Sequence, residues 1–320
     1  MIQLVPDTSV LNTAPAAPPD VSSSPGRKPH RPRADCTADS NGGLTFDVRL
    51  FDETARDAAA SDTNEHAAVL LRLRHHHGPD ASLRLPLTRA AADRGLRATL
   101  PATTSLREGR WDAYLAWADA EPQRLLPGVL DLRSLTGGAL FDAHAWLGVR
   151  IPYATKHGNL TLRTWVRRPH AEAGALHVDD NTLVLHGKLY GTQLTTTASL
   201  EAHPRDSAAL PVRVPVRLEA EERSGRETTP EYAPDGPHAE RGFAAELPFT
   251  SLLPGQQVWD LWLRPAADQE PVRLARILDD IPDKRHIFRY PSRQVASPDG
   301  AAHSVRPYYT INNNLSVQVS

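Results

Sequence analysis

The chain has a single cysteine, Cys36, in 320 residues, a single methionine at its start, and only four lysines among 36 basic residues. One cysteine excludes an intrachain disulfide, and with it the stapled scaffolds of oxidising compartments. There is no apolar stretch of about 18 residues, so no spanning helix is expected. The opening Met1–Asp7 stretch has neither the basic region nor the apolar run of a secretion signal. These absences lead us to expect a soluble, cytoplasmic protein without a transmembrane segment. The shortage of one charge sign is slight, 36 basic against 38 acidic residues. That near balance gives no electrostatic reason to expect nucleic acid as a partner. What is plentiful is proline, 28 residues, well above the usual share of about 5%. It disfavours long helices and fits short strands joined by turns.

Residues 1–42 are rich in Pro, Ser, Ala and Asp and carry a short basic stretch, Arg27-Lys28-Pro29-His30-Arg31-Pro32-Arg33. So little apolar surface cannot offset the entropy of ordering, and a disordered arm is predicted over 1–42. From residue 43 onward the chain repeats itself. Leu96–Pro101 matches Phe243–Pro248, Trp111-Asp112-Ala113-Tyr114-Leu115 matches Trp259-Asp260-Leu261-Trp262-Leu263, and Arg124-Leu125 matches Arg273-Leu274. Pro152-Tyr153 with Asn159-Leu160-Thr161-Leu162 matches Pro307-Tyr308 with Asn314-Leu315-Ser316-Val317. The separations are 147, 148, 149 and 155 residues, always in the same order. That is the size of one globular domain rather than of a solenoid repeat. The domains expected are therefore 43–167 and 175–320.

The repeated blocks alternate with period two, as Phe243, Ala245 and Leu247 against Ala244 and Glu246 do. Further strands are predicted over 44–51, 67–74, 82–87, 183–189, 196–202 and 211–218. The fold expected is all-β: two tandem immunoglobulin-like or fibronectin-III-like β-sandwiches after the arm. Thr155–Asn159 and Thr310–Asn314 read as tight hairpin turns needing positive φ, supplied by Gly158 in one copy and by an asparagine in the other. Trp165, at the start of the short connection between copies and without a counterpart in copy two, is predicted to pack in the inter-domain seam.

Candidate functional residues are few. Asp112 and Asp260 recur in both copies, which marks them as a feature of the fold such as a cross-strand ion pair. His75 and His77 would share one face of a strand and make half a metal site, but no third ligand is apparent. No metal and no cofactor are expected. Copy two alone carries Asp283-Lys284-Arg285-His286-Ile287-Phe288-Arg289-Tyr290-Pro291-Ser292-Arg293, a mixture of basic and aromatic residues. Lys284, Arg285, Arg289, Tyr290 and Arg293 are the residues we expect at any site for a phosphate or a sugar face. Copy two also holds a polar insertion over about 219–238, which fits a bland loop as well as a lid. No residue is assigned a catalytic role.

The endings Arg306–Thr310 with Asn314–Val317 and Ile151–Tyr153 with Gly158–Leu162, preceded by Trp259–Leu263, resemble the β-rich C-terminal modules of actinobacterial envelope-polymer transferases. These are glycosyltransferases and glycerophosphotransferases of the teichoic-acid type. The resemblance covers most of 96–166 and 243–319, and the nucleotide-binding catalytic domain of such enzymes has no counterpart in this sequence. It implies a non-catalytic binding or assembly module beside cell-surface polymer synthesis, partnered by an envelope-polymer transferase or its glycan product. The alternatives are a carbohydrate-active transferase with a site around 284–293, and a structural protein that self-associates through its terminal strands. The sequence leaves the oligomeric state open.

Overall fold

A computed structural model describes residues 31–50, 67–89, 95–117, 120–136, 147–206, 209–219, 242–253 and 258–320. Residues 31–320 belong to one compact unit. Among the described residues the chain is all-β, with a few 3-10 turns and no helix long and apolar enough to cross a membrane. The first lobe holds β1 (Arg33–Ala38), β2 (Leu44–Arg49), β3 (Ala68–Leu73), β4 (Ser82–Pro86), β5 (Thr88–Arg89), β6 (Leu96–Leu100), β7 (Gly109–Ala116), β8 (Gln123–Arg124), β9 (Leu126–Asp131), β10 (Leu147–Ala154) and β11 (Leu160–Arg167). The second holds β12 (His170–Val178), β13 (Thr182–Tyr190), β14 (Ser199–Pro204), β15 (Val212–Glu219), β16 (Gly242–Pro248), β17 (Val258–Arg264), β18 (Val272–Ala275), β19 (Arg293–Ala296), β20 (Ala302–Tyr309) and β21 (Leu315–Val319).

Strand order repeats with the sequence. One sheet of the first lobe runs β5-β6-β2-β1-β9, and the second lobe pairs β15-β16-β13-β12-β18 in the same way. The other runs β10-β11-β7-β3-β4, against β20-β21-β17-β14-β15. Even the parallel pairing recurs, β1 with β9 and β12 with β18. The second lobe departs from two separate sheets. β18 bonds to β17 through Val272 and Arg273 and then to β12 through Leu274 and Ala275. β15 likewise leaves β14 for β16. Strands that change partner at both edges close β12–β18 like a barrel through the β14–β17 pairing, and β21, β20 and β19 branch from it with β19 at the edge.

Period-two patterning explains most elements. In β17, Trp259, Leu261 and Leu263 are buried while Val258, Asp260, Trp262 and Arg264 are partly exposed. The tryptophans that open β7 and β17 are anchored alike: Trp111 Nε1 donates to Arg107 O and Trp259 Nε1 to Leu252 O, both at 3.0 Å. Two boundaries differ from expectation. Residues 33–38, assigned to the arm, form β1 between β2 and β9, because Ala34, Cys36 and Ala38 alternate into the core although all are small. The stretch between the copies is shorter than expected, since β11 runs to Arg167 and β12 begins at His170. The arm residues 1–30 and insertion residues 220–241 lie outside the described residues.

The lobes share a seam. Trp165 is fully buried and its Nε1 donates to Asn312 O at 3.2 Å. Arg163 and Arg167, on the same face of β11, donate to Asn312 Oδ1 and Asn314 Oδ1 at 2.9 and 3.2 Å. Ala275 and Ile277 of the second lobe complete the apolar core of the first. Both hairpin turns behave as read, with φ +70° at Gly158 and +57° at Asn313.

Candidate ligand-binding site

Each of the duplicated aspartates organises a polar cluster, and the one at Asp260 lends Arg205 to the site. Asp112 on β7 receives Arg74 through Nε and Nη2, with Nη2 to Oδ1 at 2.6 Å, the hydroxyl of Thr161 at 2.9 Å, and the charge of Arg124 at 3.2 Å. Asp260 on β17 receives the equivalents: Arg205 at 2.6 Å, Arg273 at 2.8 Å and Ser316 Oγ at 2.7 Å. Burial pushes both carboxyls up, but in each case the two arginines and the hydroxyl outweigh it and hold the carboxyl below its ordinary range. Burial brings Arg273 down to about 10. These quartets tie three or four strands together on one sheet surface, as a recurring fold feature would.

In the second lobe a further layer comes from the segment between β18 and β19. Asp283 caps a 3-10 turn over Lys284–His286 by accepting from Arg285 N at 3.1 Å. Lys284 is fully buried; its ammonium bonds to the Asp279 carboxylate and to Ile281 O, while its backbone N donates to Asn313 Oδ1 at 3.0 Å. Desolvation lowers its pKa in spite of Asp279. Lys284 is thus the anchor that pins this segment to the β20–β21 turn, not a ligand contact. Phe288 then packs under Arg276, 4.5 Å from its ring centroid, and edge-on to Tyr309 at 5.7 Å. Tyr290 meets Tyr309 at 6.4 Å.

Between this segment and β20 lies a cavity of about 630 Å³. Four arginines line it, Arg205, Arg285, Arg289 and Arg306, together with Phe288, Tyr290, Tyr308, Tyr309, Pro307, Thr310 and Ile311. Arg205 is taken by Asp260 and also donates to Tyr308 Oη at 3.3 Å. Arg285 is taken by Asp283 at 2.6 Å. Arg289 and Arg306 have no carboxylate partner among the described residues; Arg306 donates only to the neutral Gln318 at 3.3 Å. The cavity wall is therefore cationic beyond its own counter-charges. Burial raises the phenols of Tyr290 and Tyr309, so both stay neutral around pH 7.

No family model and no curated protein matches the chain. Among solved structures it is similar to residues 217–571 of TarS from S. aureus, with 16% identity and a TM-score of 0.35 over 48% of this chain and 39% of that one. A second TarS structure from S. aureus is similar at 15% identity and TM-score 0.35, over 54% of this chain and 28% of that one. The chain therefore spans less than half the length of either.

Of the residues singled out by sequence, Arg285, Arg289 and Tyr290 line the cavity, whereas Lys284 and Arg293 do not. Arg293 is directed at the β12–β13 turn, donating to Val178 O at 3.0 Å and pairing with Asp180 at 3.4 Å. The cavity residues not anticipated include Arg205, Arg306 and Tyr308. Arg205 had a signal, since it stands to Asp260 as Arg74 stands to Asp112. The histidines make no half-site on a strand: β3 ends at Leu73, His75 has φ +58°, and all three are exposed in the turn. Among the described residues no three His, Cys, Asp or Glu side chains gather as metal ligands would.

Proposed function

We propose that the chain is a binding module for a phosphate-bearing glycan or polyol polymer of the cell surface, working beside a separate polymer-making transferase. The observation that carries this reading is the pairing state of the cavity arginines. Arg205 and Arg285 are neutralised by Asp260 and Asp283, while Arg289 and Arg306 face the same cavity without a carboxylate. A planar guanidinium recognises a phosphate oxyanion through parallel N–H donors. The flanking Tyr290 and Tyr308 rings offer apolar faces and hydroxyls suited to a sugar or polyol. The binding rather than catalytic reading is supported by the chemistry of the wall: guanidiniums and neutral phenols hold an anion well but exchange protons poorly near pH 7. The sequence resemblance of the two repeat endings to envelope-polymer transferase modules supplies the polymer class.

A binding panel tests this. Poly(glycerol phosphate), an uncharged glucan of similar length and a nucleotide-sugar are titrated into the wild-type chain and into Arg289→Ala/Arg306→Ala. The expected result is salt-sensitive binding of the phosphate polymer, weakened about tenfold or more in the variant, at roughly 1.5–3 kcal/mol for charge-assisted contacts. Equal binding of wild type and variant refutes the site. Tight nucleotide-sugar binding with turnover would favour a transferase instead.

A further inference from the structure

We infer that Arg110 and Arg163 of the first lobe are positioning residues for the cavity: they line none of it, yet they hold the β20–β21 turn from which both of its walls are set. Their effect on a ligand rests on the phosphate-binding reading above; their grip on the turn does not. The two arginines stand directly opposite each other in the β7–β11 pairing. Like charges at such a position destabilise a sheet. At the matching position of the second lobe, β17 and β21 set Val258 against Gln318, and neither is charged. Arg163 is only 4% exposed and its Nε is buried without a hydrogen-bond partner. Glu108, whose charge reaches Arg163, pairs with Arg167 at 3.0 Å. Burial, with Arg110 adding to it, brings Arg163 down to about 10. What offsets this cost lies in the second lobe: Arg110 Nη2 donates to Ile311 O at 3.3 Å, and Arg163 Nη2 to Asn312 Oδ1 at 2.9 Å.

The turn they grip belongs to the cavity on both sides. Thr310 and Ile311 line it directly. Asn313, at φ +57°, accepts Lys284 N through Oδ1 at 3.0 Å, and its carbonyl accepts Arg276 N at 2.9 Å. Lys284 opens the segment that supplies Arg285, Phe288, Arg289 and Tyr290 to the cavity. A shift of the turn therefore carries that segment with it and alters the spacing of Arg289 from Arg306 on β20. Two guanidiniums share an oxyanion only at a fitted spacing, so the first lobe serves affinity by pre-organising the pair.

The test uses the full chain, recording arginine Nε–Hε signals by NMR first without ligand and then during titration with poly(glycerol phosphate). In Arg110→Met/Arg163→Met the Arg289 signal should move before any polymer is added, while the Trp259 indole signal stays in place. Affinity for the polymer should fall about tenfold. Each arginine makes one bond to the turn, so Arg110→Lys/Arg163→Lys should restore the Arg289 signal and most of the affinity. Asn312→Ala removes the acceptor of Arg163 without touching either core, and should reproduce the Arg289 shift in smaller measure; it decides the matter if the methionine variant fails to fold. An unmoved Arg289 signal with wild-type affinity overturns the inference, and so does a lysine variant as damaged as the methionine one. An Arg289 shift in variants of a wild type that binds no polymer supports the positioning while refuting the ligand reading.

Discussion

Asp260 is a partly buried carboxylate whose surroundings decide its protonation, and its behaviour is measurable. Its pKa is depressed on folding, so the folded chain binds fewer protons than the unfolded one where the two states differ. The stabilisation is present above the unfolded pKa and is lost as pH falls through the folded value. Urea unfolding from neutral pH to well below the usual aspartate pKa of about 4 should show this loss, and Asp260→Asn should flatten it. At neutral pH the variant should lose about 2–3 kcal/mol, below the full cost of a broken buried pair because the carboxylate is partly solvated. The same substitution at Asp112 should behave alike, since its partners are equivalent. The duplication made both aspartates legible as fold features. Their partners were harder to read, because an arginine elsewhere in the chain carries no mark of which carboxylate it meets.

At the scale of elements, the strands with strict alternation of large apolar residues were readable, and β17 is the clearest case. β1 was not, because Arg-Ala-Asp-Cys-Thr-Ala buries only small side chains and sits in polar, proline-rich surroundings. The exchange of β15 and β18 between sheets leaves no trace in periodicity, since a strand that changes partners keeps its own alternation. The two hairpin turns allow a paired prediction. Gly158 has φ +70° and open space where a Cβ would stand, so Gly158→Ala should cost only the left-handed strain, about 1 kcal/mol. Asn313→Ala should cost more, because Asn313 Oδ1 also accepts from Lys284 N. Asn313→Gly keeps the backbone free but drops that bond, and should fall short of wild type too. Thermal melts of the three variants check the order.

At the scale of the molecule, the described strands form two lobes of matching strand order that depend on each other. Ile277 of the second lobe completes the first lobe's core, and Trp165 of the first donates to Asn312 of the second. Trp165→Ala should therefore cost about 3–5 kcal/mol and should broaden or split a thermal transition that is single in wild type. A transition split already in wild type would contradict the shared seam. The site arose where the copies diverged. The segment between β18 and β19 carries a mixture of basic and aromatic residues that has no match in the sequence of the first copy, which is why sequence pointed to 284–293. It did not point to Arg306, on the neighbouring strand β20, or to Arg205, which follows β14 much earlier in the chain. The account's central claim is that Arg289 and Arg306 present uncompensated charge to a phosphate in that cavity. The most direct measurement follows the arginine Nε–Hε signals by NMR during titration with poly(glycerol phosphate). The account predicts that Arg289 and Arg306 shift at the lowest polymer concentrations, with Arg205 and Arg285 perturbed beside them. Saturable binding that leaves the signals of Arg289 and Arg306 unmoved would contradict it.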